Sequence, residues 1–317
     1  EIECFEMLEM VQRAEKVTDA AIDEVLNTTV ASWKFLKEAD MSIARRSISY
    51  YLAIKEIIDE RGYKAISLKD VDGMKKLLGF PPAPIFMLLA DEAGLVTVPE
   101  NDSLGNITQL MVKYLTGQAA HYLEFYEFFE NSVIAGVPDY VPAEITDGQT
   151  TVMPAAFGEL SEGILNVSKV KTGELTMCRL TCIDGEYYMH MVNGFGKTPP
   201  KWEEAGWAQP APQLPGLEVL LPDVEKFCEN VMCQHYIISY GGNTEKKSDT
   251  AKQSNTAKSA TTTISSAPSE GELERPSALD EALTSSPREA QLRALLDSTH
   301  PSERADMEYL LINMMAS

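Results

Sequence analysis

Three parts of this sequence carry side chains that could do chemistry if the fold brings them together. Glu100 closes the run LVTVPE (95–100), which puts a carboxylate at the end of a short apolar strand. Glu124, Glu127 and Glu130 lie in HYLEFYEFFE (121–130), and His235 stands in MCQHYIISYGG (232–242), where a β-branched and aromatic run stops at two glycines. Carboxylates and imidazole are the groups that move protons near neutral pH or hold a divalent cation. Each has a plainer reading when taken alone. Glu100 would be a solvated surface acid, the 124–130 acids the wet face of a helix or the rim of a strand, and His235 a hydrogen-bonded structural histidine. The other three histidines fit such readings: His190 as a half-buried sheet residue, His121 and His300 as surface. No GxGxxG, P-loop, HExxH or GxSxG pattern occurs, so phosphate-cradle, zinc-protease and serine-nucleophile chemistry lack their usual signatures.

The elements that must position these residues can be read from periodicity. Met7, Val11 and Ala14, then Ile22, Val25 and Leu26, recur at helical spacing and predict helices through residues 1–60. KAISLKD (64–70) alternates as a strand and GMKKLLGF (73–80) is a helical turn stopped by two prolines. PIFMLLADEAG (84–94) is a helix, LVTVPE a strand, and SLGNITQLMVKYLTG (103–117) an amphipathic helix closed by glycine. Strands alternating with helices predict a Rossmann-like α/β domain, with ligand groups such as Glu100 at the carboxyl ends of strands. From about residue 150 the pattern is β. ELTMCRLTC and YYMHMVNGFG form a hairpin around Asp184-Gly185, the Pro-rich KTPPKWEEAGWAQPAPQLPG (197–216) is a loop covered by its tryptophans, and DVEKFCENVMCQ (223–234) is a helix leading into the His235 strand. The expected division is therefore an α/β domain over 1–150 and a mainly antiparallel β domain over 151–242. Residues 243–284, rich in Ser, Thr, Ala and Lys, are expected to be disordered, and 285–317 to form an amphipathic helical tail.

The chain has 317 residues and a net charge of −21, most of it in residues 1–242. That charge would repel nucleic acid and anionic membrane surfaces, so neither is expected as a partner. No apolar run reaches the ~18–20 residues of a membrane span. The start, EIECFEMLEM, has no initiator Met and no basic leader, which is expected of a fragment or processed chain. The five cysteines make an odd count without a CxxC pair, and Cys178 and Cys182 lie too far apart on a strand to share a metal. Reduced thiols and a cytoplasmic location follow as the expectation.

One stretch carries a family likeness. LVTVPENDSLGNITQLMVKYLTGQAAHYLEF (95–125) resembles the middle domain of the L-fucose isomerase family, where a glutamate ends a strand before a small-residue turn and helix, followed by a Leu-Leu-Thr-Gly helix end and a second acid. ELTMCRLTCIDGEYYMHMVNG, the Pro/Trp loop and DVEKFCENVMCQHYIISYGG resemble that family's C-terminal domain in the same order, so the likeness spans roughly residues 50–242. It implies an aldose–ketose isomerase that works through an ene-diol on a free monosaccharide, L-fucose-like by default. It also implies a bound Mn²⁺ or another divalent cation, and a homo-oligomer. Matched piece by piece, the metal ligands fall on Glu100, Glu124 and His235, with Glu100 and Glu124 also moving the proton. Gln234, Trp202 and Lys69 are the candidate substrate-binding residues. The separation of Glu100 and Glu124 fits strand, crossover helix and next strand of one βαβ unit. Two rival readings stay open: a sugar-binding or regulatory relative without turnover, and a purely structural oligomer-forming one.

Overall fold

Spacing and caps set the N-terminal helices α1 (Met7–Ala14), α2 (Asp19–Thr28) and α3 (Met41–Arg61) in the computed structural model, which describes residues 2–79, 81–136, 139–156, 162–199, 216–241 and 260–264. Thr18 Oγ1 accepts from the Ala21 N–H at 3.3 Å and Asp40 Oδ1 from the Ser42 N–H at 2.8 Å, each satisfying a donor that the helix itself leaves unpaired. Gly62 ends α3 at φ 70°, a conformation that costs least without a Cβ. Ala44, Ile48, Tyr51, Ile54 and Ile58 form the buried stripe of α3. They pack with Met10, Ile22 and Phe86 in one core, and every residue of α4 (Ala83–Asp91) from Ala83 to Leu89 is buried, Ile85 to Leu89 within that core. A small sheet of β1 (Lys34–Phe35), β6 (Thr151–Ala156) and β7 (Glu162–Asn166) completes this half, with β1 parallel to β6 and β7 antiparallel to it.

The α/β part is smaller than the sequence pattern predicts. β2 (Ala65–Ser67) and β3 (Val96–Val98) form a parallel pair, with α4 in the crossover between them. α5 (Ser103–Thr116) follows β3 and ends at Gly117, as expected. The stretch expected to be a simple helical turn is instead a π-helical segment, Asp70–Leu78. The next strand, β4 (His121–Phe128), does not continue the parallel pair. It pairs antiparallel with β5 (Ser132–Gly136) and β11 (His235–Tyr240), so Glu100 and Glu124 do not sit on neighbouring strands of one βαβ unit.

β4 and β5 belong to an antiparallel sheet with β8 (Gly173–Ile183), β9 (Glu186–Lys197), β10 (Gly216–Leu220) and β11. The order is β10-β5-β4-β11-β8-β9, and β10 also pairs with β9, which closes the six strands into a barrel. Closure satisfies the edge groups that an open sheet would expose. Alternation then divides the side chains. Leu123, Phe125, Val133, Ala135, Leu175, Met177, Val219, Tyr236 and Ile238 form one apolar interior. Tyr122, Cys178 and Ile237, on the other face, pack against Val98 and against Val112 of α5. Asp184 and Gly185, at φ 54° and 84°, make the β8–β9 turn predicted from Asp-Gly. The strand pairings cross residue 150 in both directions, since β4 and β5 join β8–β11 while β6 joins β1. Within the stretch expected to be disordered, Ala260–Ile264 forms β12, antiparallel to β9. Trp202, Trp207 and the predicted tail helix over 285–317 lie outside the described residues. α6 (Val224–Asn230), capped by Asp223, is shorter than the predicted 223–234 helix, and Val231 leaves it in extended geometry.

Candidate functional site

Glu100 follows β3 in a turn where two successive non-glycine residues, Glu100 (φ 66°) and Asn101 (φ 56°), adopt the left-handed conformation. Such backbone persists only where its surroundings hold it, and it concentrates at functional sites. The holding contacts are visible. The Glu100 N–H donates to Asp70 Oδ1 at 2.8 Å and the Asn101 N–H to the Leu68 carbonyl at 3.0 Å. Asp70 opens the π-helical segment, whose i→i+5 spacing stacks residue 75 on residue 70. Lys75 Nζ accordingly donates to Asp70 Oδ2 at 2.8 Å and stands 3.5 Å from Asp139 Oδ1, with all three side chains 1% exposed. Burial opposes the Lys75 charge, but Asp139 and Asp70 outweigh it and hold the ammonium above its ordinary pKa.

The barrel supplies the other side. His235 and Glu124 are directly opposed in the β11–β4 register, so both project from the same face. His235 Nε2 lies 3.4 Å from Glu100 Oε2 and receives no hydrogen bond. The imidazole stacks on Tyr122, with ring centroids 4.7 Å apart at 15°. Glu124 accepts from the Tyr126 hydroxyl at 3.0 Å and from Gln234 Nε2. A bulge between Phe125 and Glu127 lies beside this pair, a common device for re-aiming side chains.

Asp102 ties the two halves together. It caps α5 by accepting from the Gly105 N–H at 2.8 Å, accepts from the Tyr122 hydroxyl at 3.0 Å, and takes both ends of the Arg179 guanidinium. Gly105 leaves room for this. A Cβ there would stand 2.4 Å from Asp102 Oδ2 and 2.9 Å from Arg179 Nη1. Gly105→Ala gains helix propensity worth about 1 kcal/mol, yet displaces the carboxylate. A net loss of about 1–2 kcal/mol is expected in urea unfolding, because overpacking costs more than propensity returns. Unchanged or raised stability would show that the cluster gives way freely.

The charges shift as this geometry dictates. Burial first, then Asp70, Glu124 and Asp139, push the Glu100 carboxyl up to about 7. Burial pushes His235 down to about 4 and raises Glu124. Between about pH 4 and 7 the Glu100–His235 pair therefore holds one proton. A carboxyl raised on folding binds more protons folded than unfolded between its ordinary 4.5 and about 7, so its contribution to stability falls as pH rises through that window. A histidine depressed from 6.5 to about 4 binds fewer protons when folded, so its contribution rises with pH over that range. Relative to the parent, His235→Ala should make stability fall more steeply, or rise less, from about pH 4 to 6.5. Glu100→Gln should make it rise more steeply, or fall less, from pH 4.5 to about 7. Urea midpoints measured across this range give the test, and identical changes in the two variants would contradict it.

The structure thus brings Glu100, Glu124, His235 and Gln234 together. Lys69 stays apart, with its side chain 62% exposed and 4.0 Å from Asp72, and Trp202 lies outside the described residues. Asp70, Lys75, Asp139 and Tyr126 are additions that the sequence reading did not supply. Two histidine expectations are corrected: His121 is buried at 1% exposure, and His190 is fully buried with Nδ1 2.7 Å from the Tyr236 hydroxyl. Among the described residues, no three His, Cys, Asp or Glu side chains already surround one point as a metal cage would. The described cysteines are all free, and no described helix is long and apolar enough to cross a membrane. No protein-family model matches the chain, and no curated protein matches it.

Proposed function

We propose that this site interconverts an aldose and a ketose, with a divalent cation such as Mn²⁺ held by Glu100, Glu124 and His235. The observation that carries the reading is the approach of Glu100 Oε2 to His235 Nε2 at 3.4 Å, with the carboxyl pushed up to about 7 and the imidazole nitrogen free of any hydrogen bond. The donor set fits a hard divalent ion, being two carboxylates and one neutral imidazole. The acids Asp70, Glu124 and Asp139 around Glu100, set against the Lys75 ammonium, favour a cation as well. Such an ion would supply electrophilic stabilisation of the sugar's O1 and O2.

The chain's own residues carry the proton. A carboxylate at Glu100 takes the proton from C2 of the open-chain aldose while the O2 proton is transferred to O1, giving the ene-diolate. Return of the carbon-bound proton to C1 restores the carbonyl at C2, so the reaction is redox-neutral and the carboxylate is regenerated. A base whose pKa lies near the working pH is the efficient choice. Glu124, held by Tyr126 and Gln234, is the second acid of the pair, and Gln234 would donate to a sugar hydroxyl in this reading.

The Rossmann-like reading of the α/β part rests on the parallel β2–β3 pair with its helical crossover. A free monosaccharide, a homo-oligomeric state, a cytoplasmic location and the lack of a nucleic-acid partner belong to the same proposal. A second reading, sugar binding without turnover, draws on Glu124 being already engaged by Tyr126 and Gln234. Incubating the protein with L-fucose and with pentoses, with and without Mn²⁺, separates the two. Ketose formation that depends on Mn²⁺ is expected. Saturable sugar binding without ketose selects the second reading, and neither binding nor conversion rejects both.

A further inference from the structure

We infer that the outer edge of β9, at Tyr187–Met191, is an acceptor site for an extended peptide strand of a partner protein, with the chain's own β12 as its resident, displaceable occupant. The site follows from unequal strand lengths. β9 runs over 12 residues and β10 over only 5. One edge of β9 is taken by β8 from Glu186 to Gly196, whereas β10 covers the other edge only at Phe195–Lys197. The barrel thus closes at one end of β9, and the hairpin arm beyond it keeps an edge whose backbone donors and acceptors template a further strand. None of these residues belongs to the Glu100–Glu124–His235 cluster, so the inference stands apart from the sugar chemistry.

The strand seated there shows what the edge accepts. Ala260–Ile264 lies antiparallel to it, with Ala260 opposite Met191 and Ile264 opposite Tyr187. Its sequence is ATTTI, uncharged and β-branched at four of five positions, which favours an extended backbone. The edge it meets, YYMHM (187–191), carries no carboxylate or ammonium either. The connection to it is long for its task. Tyr240 opposes Leu175, Leu175 opposes Gly194 and Ala260 opposes Met191, so about 18 Å separates the end of β11 from the start of β12. Residues 242–259 between them reach about 60 Å when extended, and their sequence contains no apolar residue larger than alanine. Such a tether offers β12 to the edge at an effective concentration on the order of millimolar and no more. A second copy's β12 brings the same ladder without that advantage, so it loses to the tethered strand below that concentration. A partner strand that adds side-chain contacts to the same ladder does not, and it is the occupant the edge selects.

Fluorescence anisotropy of a labelled peptide SATTTISS, the sequence of residues 259–266, titrated with the whole chain tests the assignment. Thr261→Pro and Thr262→Pro are the variants that unseat β12. Successive N–H groups of a strand point alternately into the ladder and away from it, so one of the two prolines removes a ladder donor. That variant should bind the peptide at least tenfold more tightly than the parent, whose own strand competes, and the peptide carrying the same proline should not bind. No binding by either folded variant, or equal binding by both variants and the parent, would overturn the proposal. A parent that sediments as a dimer, and a peptide-binding variant that sediments as a monomer, would place a second copy's β12 on the edge and overturn the partner assignment. Should neither variant fold, amide exchange in the parent decides. The amides of Tyr187–Met191 that face β12 should exchange faster than those of the β8–β11 ladder at Thr176–Cys178. Equal protection would mean that β12 does not leave the edge, and would overturn the proposal.

Discussion

Replacing Lys75 by Met is expected to lower the unfolding free energy by about 3–5 kcal/mol, because it leaves Asp70 and Asp139 buried with no cation between them. The size follows from the asymmetry of buried pairs. An intact ion pair adds little net stability after desolvation, whereas an orphaned buried carboxylate carries nearly the whole desolvation cost. Met fills a similar volume, so packing loss contributes little, and the effect is electrostatic. Asp139→Asn added to Lys75→Met should therefore recover part of the loss, giving a double variant more stable than the sum of the singles. Asp70 is the less suitable partner for that cycle, since it also fixes the Glu100 backbone. Urea unfolding of parent, singles and double supplies the four numbers. A loss below about 1 kcal/mol in Lys75→Met would mean that the cluster is hydrated or already protonated.

This triad also shows where the sequence stops being legible. KAISLKD reads as a strand and GMKKLLGF as a helical turn, and nothing in α-helical or strand periodicity pairs residue 70 with residue 75. Only the π geometry does so, and that geometry depends on tertiary contacts at both ends of the segment. Local signals did better. The helix end at Gly117 and the Asp-Gly turn at 184–185 were read from the sequence, because each acts within a few residues. The closure of β10 on both β5 and β9 could not be read, because strand pairing is decided by partners far apart in the chain. That is why β4 was expected beside β3 and is instead found in the barrel. The family likeness singled out Glu100, Glu124 and His235, but it gave no reason for them to meet across an antiparallel ladder. The His235–Glu124 register supplies that reason. His121 was misplaced for a related cause: β4 is covered on both faces, by the barrel interior on one side and by α5 and Val98 on the other, and the sequence alone does not show that cover.

Glu100→Gln is expected to reduce sugar isomerisation by about 10²–10⁴-fold while leaving the fold intact. The amide keeps the shape of the carboxyl, and the Glu100 N–H to Asp70 bond that secures the left-handed turn is a backbone contact that survives the change. The loss should fall on kcat rather than on KM, since a group that moves a proton acts in the transition state and not in ground-state binding. The pH profile provides a second, sharper sign. With Glu100 as base, kcat/KM in the parent rises with pH as the carboxyl gives up its proton, and this limb should vanish in the Gln variant. His235→Ala reaches the same chemistry by another route. The imidazole, already neutral above about pH 4, contributes no proton near neutrality but offers an unshared nitrogen to the cation. Its removal should abolish most of the Mn²⁺-dependent rise in melting temperature that ligand linkage predicts for the parent. Glu100→Gln and Glu124→Gln should do the same. These melting curves stand even for a protein that binds sugar without turning it over, so they test the site apart from the reaction. If Mn²⁺ raises the melting temperature of all three variants as much as that of the parent, the cation is held elsewhere. The 3.4 Å approach of Glu100 to His235 would then be a shared-proton contact that fastens the β3 turn to the barrel.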